Sequence, residues 1–126
     1  MKTLEQAIHD YLWKHLSSSM DVYESRPMKE VSYPFADFDN FESRFNDTKT
    51  GALGQVTAMV NIWDSENNRK NVSEKSYGLI QAVKDVRSMY DYSVSVHMNG
   101  STVQITQDNT VTPPVWRGIV TIVFDI

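Results

Sequence analysis

The sequence predicts an α+β fold: a single, mostly antiparallel (mixed) sheet of about five to six strands with two helices packed on one face. Three observations carry that expectation. Two segments, Leu4 to Leu16 and Val72 to Tyr90, repeat apolar residues at helical spacing. Other runs, Gln55 to Trp63 and Trp116 to Ile126 above all, alternate as strands do. The 126 residues are one domain's length, so residues 1–126 are expected to share one core. An apolar content of 40% and an aromatic content of 11% suit a packed chain and argue against disorder.

In the first helix Leu4, Ala7, Ile8, Tyr11, Leu12 and Leu16 form one stripe. Thr3 is the expected N-cap, with Gln6 three residues on to close a capping box. Ser17, Ser18 and Ser19 end the helix, because serine hydroxyls bond to nearby backbone. Short extended pieces follow: Val22 to Glu24, then Val31 to Phe38 around Tyr33-Pro34-Phe35. Residues 37 to 50, with acids among phenylalanines and Thr48 to Gly51 at the end, read as a long connection of the functional kind.

The strand from Gln55 to Trp63 puts Val56, Ala58, Val60 and Ile62 on one face. A polar turn through Asn67-Asn68 leads to Asn71, the expected cap of the second helix, with Glu74 completing a capping box. That helix should end between Met89 and Asp91. Ser93 to Met98 and Ser101 to Thr106 flank Asn99-Gly100, which predicts a β-hairpin. Pro113-Pro114 predicts an extended, rigid connection. The terminal strand is apolar on one face and half apolar on the other (Ile119, Val123), as in a central strand covered twice.

Composition excludes several functions. No cysteine means no disulfide, thiolate metal site or cysteine nucleophile. The net charge is −4, and basic residues are scattered, adjacent only at Arg69-Lys70. Tight nucleic-acid binding needs a basic patch, so it is not expected. No run approaches a membrane span, and the N-terminus has no apolar leader, so a soluble product is expected. His9 and His15 lie six apart on a helix and point to different sides; with His97 they read as solvated surface histidines. Asp37, Asp39, Asn40 and Glu42 imitate part of a calcium loop but lack its central glycine and final glutamate. Gly51 and Gly54 lead to no phosphate-loop lysine, and there is no nucleophile elbow. No catalytic, cofactor or metal residue is therefore assigned.

What stands out is apolar surface. Phe35, Phe38, Phe41 and Phe45 cluster around the 37–50 segment, and Trp63 lies opposite its strand's apolar face. Two helices cover only one face of such a sheet. Uncovered aromatics and open strand edges mark assembly.

The order of segments resembles the small tail-terminator (tail-completion, tail-to-head joining) proteins of long-tailed bacteriophages. The resemblance rests on the helix Leu4 to Leu16, the YPF strand at Tyr33 to Phe35, VNIWD at Val60 to Asp64, SEKSYGLIQAV at Ser73 to Val83, and the closing RGIVTIVFDI at Arg117 to Ile126. It implies a structural virion protein with no catalysis and no cofactor. Such proteins form a homo-oligomeric, six-membered ring at the head-proximal end of the tail. The ring ends tail-tube polymerisation and offers a docking surface to the head connector. It places the chain in the virion, and in host cytoplasm during assembly, with DNA as passing cargo and no membrane partner. On that reading Phe38, Phe41, Phe45, Trp63 and Trp116 are the expected interface. Asp37, Asp39, Glu42, Asp47 and Asp108 are the expected acidic lining of the bore, repelling phosphate. The alternatives are a head-completion connector or a tail-tube subunit and, from another class, a small cytosolic α+β enzyme or ligand-binding module.

Overall fold

The structure, a computed structural model, describes residues 1–46 and 52–126. Helix α1, Leu4–Ser17, starts at the expected capping box: Thr3 Oγ1 accepts from Gln6 N at 3.1 Å, and Gln6 Oε1 accepts from Thr3 N at 2.9 Å. Its stripe of Leu4, Ala7, Ile8, Leu12 and Leu16 is buried. The serines stop it, with Ser18 Oγ donating to the His15 carbonyl at 2.7 Å.

The main sheet has six strands. β1 (Asp21–Tyr23) runs parallel to β2 (Phe35–Asn46); β3 (Ala52–Ser65) and β8 (Val115–Asp125) follow antiparallel. β6 (Ser95–Val96) and β7 (Thr102–Asp108) both pair with β8. A two-residue hairpin, β4 (Ser88–Met89) with β5 (Tyr92–Ser93), follows helix α2 (Arg69–Val83). Both helices pack on one face. Val56, Ala58, Val60 and Ile62 of β3 and Val120, Ile122 and Phe124 of β8 meet Ile8, Leu12, Leu79 and Val83 in a single core.

The segment expected to be a long connection is strand up to Asn46. Phe38 and Phe41, three apart, would face opposite ways in a regular strand. Asp39 is bulged out of the ladder: Phe38 pairs with Val60 and Asn40 with Met59, so Phe41 returns to the helix side opposite Ala58. The bulge conceals the period of two, and the acids then resemble loop.

The Asn99-Gly100 hairpin is also corrected. β6 and β7 do not pair with each other but lie one after the other along β8. A 3-10 turn, Met98–Gly100, interrupts what is otherwise one edge strand. Neither Asn99 nor Gly100 takes the left-handed φ that a tight hairpin turn needs. The true hairpin is β7–β8. Its connection bends at residues 110–113 rather than running extended, and Thr112-Pro113, like Tyr33-Pro34, is cis.

Helix α2 begins after Asn68, not Asn71, and stops at Val83, a full turn or more before Met89. The Asn71 amide is engaged elsewhere, donating to Asp64 Oδ2 at 2.6 Å. Asp64, itself buried, also accepts from Ser65 N and the Asn68 amide, so one carboxylate ties the β3–α2 turn. Where α2 crosses β8, Gly118 allows the closest approach. A Cβ there would lie 2.1 Å from Ser76 Oγ, a fully buried hydroxyl with no partner.

Candidate functional site

The outer face of the sheet, opposite the helices, carries Asp37 and Trp63 of the predicted residues, and its two ends differ. Residues 24–34, between β1 and β2, cross one end as a strap. Val31 packs there on Phe35, Trp63 and Val115, all three buried. The Arg26 guanidinium lies 4.1 Å from the centre of the Trp63 ring, and that of Arg117 lies 5.2 Å from it. Strap coverage of β8 is limited to this end. Farther along, Met59, Ile119, Thr121 and Val123 are half-buried, and the Met98–Gly100 turn lies against the Val123 side chain.

Beneath the strap a polar chain crosses three strands. Asp37 accepts from Asn61 Nδ2 at 2.8 Å and from Trp63 Nε1 at 2.9 Å. Arg117 donates from Nε to Asn61 Oδ1 at 2.9 Å and from a terminal nitrogen to Asp39 at 3.0 Å. Arg26 reaches Asp108 at 3.3 Å. Apart from Asp108, these side chains line a shallow cleft of about 360 Å³. Asp37 is 1% exposed, and burial holds its carboxyl above the ordinary carboxylate range against its two hydrogen bonds and Arg117. Asp108 moves the other way: hydrogen bonds from Thr110, then Arg26, hold its carboxyl low.

Several expectations for the interface and the bore are corrected by this geometry. Phe38 is core: its ring stacks on Trp13 (6.0 Å between centroids) and lies 4.7 Å from His9. Trp63 is 3% exposed because the strap and Phe35 cover it. Phe41 is half-buried against the core cluster. Trp116 is half-buried, its Nε1 donating to the Glu66 carbonyl at 2.9 Å and its ring facing Arg69. Only Phe45, at 62% exposure, stands free. Among the acids, Asp37 is buried. Asp39 and Glu42 are exposed but paired with Arg117 and Arg44, and Asp108 is paired with Arg26. Asp47 lies outside the described residues.

Among the described residues the sheet leaves two free edges. β1 pairs only with residues 35–37 of β2, so β2 from Phe38 onward is bonded on the β3 side alone. At the opposite border β6 and β7 are bonded only to β8.

His9 and two arginines are the residues that sequence reasoning misses, whereas His15 and His97 are exposed, as expected. His9 is no solvated histidine: Nδ1 faces Asp10 at 2.9 Å, Nε2 faces Glu24 at 2.9 Å, and Trp13, Phe38 and Phe41 surround the ring. His97 Nδ1 meets Asp125, which also accepts from Gln55 at 2.9 Å. Arg26 and Arg117 are far apart in sequence and belong to no local pattern. Among the described residues no group of three or more side chains could hold a metal ion, and no helix is long and apolar enough to cross a membrane.

No protein-family model matches the chain, and no curated protein matches it.

Proposed function

We propose that this chain is a structural assembly protein of the phage tail-terminator kind. It forms a homo-oligomeric ring at the head-proximal end of a tail, ends tail-tube polymerisation there and receives the head connector. One observation carries the reading: the sheet has free strand edges at both borders, β2 beyond residue 37 and β7, while helices cover only one of its faces. Two unlike edges at opposite borders suit head-to-tail contact, which closes into a ring when the rotation between copies allows. The half-buried apolar residues of the outer face, Met59 and Ile119, lie between those edges. The reading assigns no catalytic residue. The Asp37 cleft is where an enzyme would have its foothold, and both carboxylate oxygens there are already engaged. Asp39 and Glu42 are the acids left to face a bore, each tempered by its arginine.

Native mass measurement of the protein alone and with tail-tube protein tests this. The expected result is a closed ring of fixed copy number, formed alone or on tube ends, that halts tube growth. Phe45→Asp should leave the circular dichroism spectrum unchanged and weaken ring formation. A strictly monomeric chain that neither binds nor caps tubes would overturn the reading; unlimited stacking would instead favour a tube subunit.

A further inference from the structure

We propose that His9 is a proton-operated latch joining α1 to the lead end of the strap, closed when the ring carries two protons and open when it carries one. Both ring nitrogens face carboxylates. Nδ1 lies 2.9 Å from Asp10 Oδ1, and Nε2 lies 2.9 and 3.1 Å from the two carboxylate oxygens of Glu24. A neutral imidazole has one N–H and one lone pair. In that form one of the two contacts would set a lone pair against an anionic oxygen. Only the imidazolium donates to both.

The surroundings agree with a cation. The rings of Phe38, Trp13 and Phe41 lie 4.7, 5.7 and 5.9 Å from that of His9. Aromatic faces within about 6 Å attract positive charge. Among the described residues, β2 brings the two phenylalanines to the site and no charge, α1 brings Asp10, and the strap brings Glu24. Asp10 is shared with Lys2, whose ammonium bonds its other oxygen. Hydrogen bonds from Lys2, then His9, hold the Asp10 carboxyl below its ordinary range, so it stays ionised. The His9 side chain is 22% exposed, which leaves protons a route in and out.

The two contacts do not yield equally. Asp10 is the next residue of the same helix and is held by Lys2. Glu24 has a side chain 69% exposed and no other partner among the described residues. On losing a proton, the ring keeps Asp10 and releases Glu24. Glu24 directly follows β1, a three-residue strand bonded only to residues 35–37 of β2. Two residues on, Arg26 holds Asp108 and covers the Trp63 ring. The strap's entry thus has one anchor toward the helices and one on the outer face. Asp108 is held low and keeps its charge, so pH acts on the first anchor alone. Histidine changes charge between about pH 5 and 8. A partnered imidazolium contributes at the acidic end of that range, and its contribution is lost as pH rises. Opening uncovers the β2 border beside Phe38 and Phe41. None of this depends on ring formation.

Nitrogen NMR of the His9 ring and hydrogen exchange of residues 21–26, both in the full chain, test the latch. At about pH 5.5 both ring nitrogens should carry protons, and at about pH 8 only one. Over that range the protection of residues 21–26, corrected for intrinsic exchange, should fall about threefold relative to β3, the size expected of one largely exposed ion pair. Glu24→Gln and His9→Gln should each flatten the response, while His97→Gln leaves it unchanged. A His9 ring that is neutral at the lower pH, protection that does not vary with pH, or a response that survives Glu24→Gln would each overturn the proposal.

Discussion

The two faces of the sheet are finished differently. The helix side is closed by interlocking apolar side chains from six elements, down to the contact of Ser76 with Gly118. The outer side is strapped at one end only, by an irregular segment held through one indole, two guanidiniums and a buried carboxylate. Its other end presents Met59 and Ile119 half-buried. Hydrophobic packing therefore gives the fold its stability on one face. On the other, polar pairing fixes a short covering segment and leaves the remainder available for contact.

The largest expected effect is at the strapped end. Trp63→Ala removes the platform for Phe35 and Arg26 and one of the Asp37 donors, and should cost about 3–5 kcal/mol in urea denaturation. A cost below about 1 kcal/mol would mean that the strap contributes little. On the helix side, Gly118→Ala should cost about 1–3 kcal/mol by overpacking. Adding Ser76→Ala should recover part of the loss, leaving Val72 Cγ1 at 3.0 Å as the nearest atom. Additive effects of the two changes would deny the contact. At the open end Ile119→Lys should cost about 1 kcal/mol or less, because the lysine stem can lie along the sheet. Its effect should appear in oligomer mass, not in the monomer's melting.

The smallest expected effect depends on pH. Asp108 has a folded value below its ordinary 3.8, so its contribution is present above that value and lost as pH falls through the lower folded one. The deficit of Asp108→Asn against the parent chain should be visible at neutral pH and vanish in strong acid. Asp37 works in the opposite sense, its contribution declining as pH rises through its raised value. The same urea titrations resolve the two.

The elements most readable from sequence were those whose signals agree. In α1, the stripe, the Thr3–Gln6 box and the terminal serines all point one way. The core side of β3 follows plain alternation. Legibility failed where one residue breaks the count, as Asp39 does in β2, or where a favoured turn pair is overruled, as Asn99-Gly100 is by the pull of β8 on both flanks. Of the aromatics singled out for assembly, Phe38 and Trp63 are buried, Phe41 and Trp116 half-buried, and Phe45 alone is exposed. Which of them the chain itself consumes depended on the strap and on α1, and no local pattern records those contacts. The network of Asp37, Asn61, Arg117 and Asp39 joins residues up to 80 positions apart, so only the sheet register brings it into view.

The bulge at Asp39 bears on how the β2–β3 arm can vary. Because Phe38 and Asn40 already face consecutive residues of β3, this aspartate is supernumerary to the ladder. Excising it would leave each later residue of the arm opposite its present neighbour. What would vanish is the tether to Arg117 and the local twist. The arm's aim is thus adjustable by a single-codon insertion or loss, while its inward and outward surfaces stay as they are.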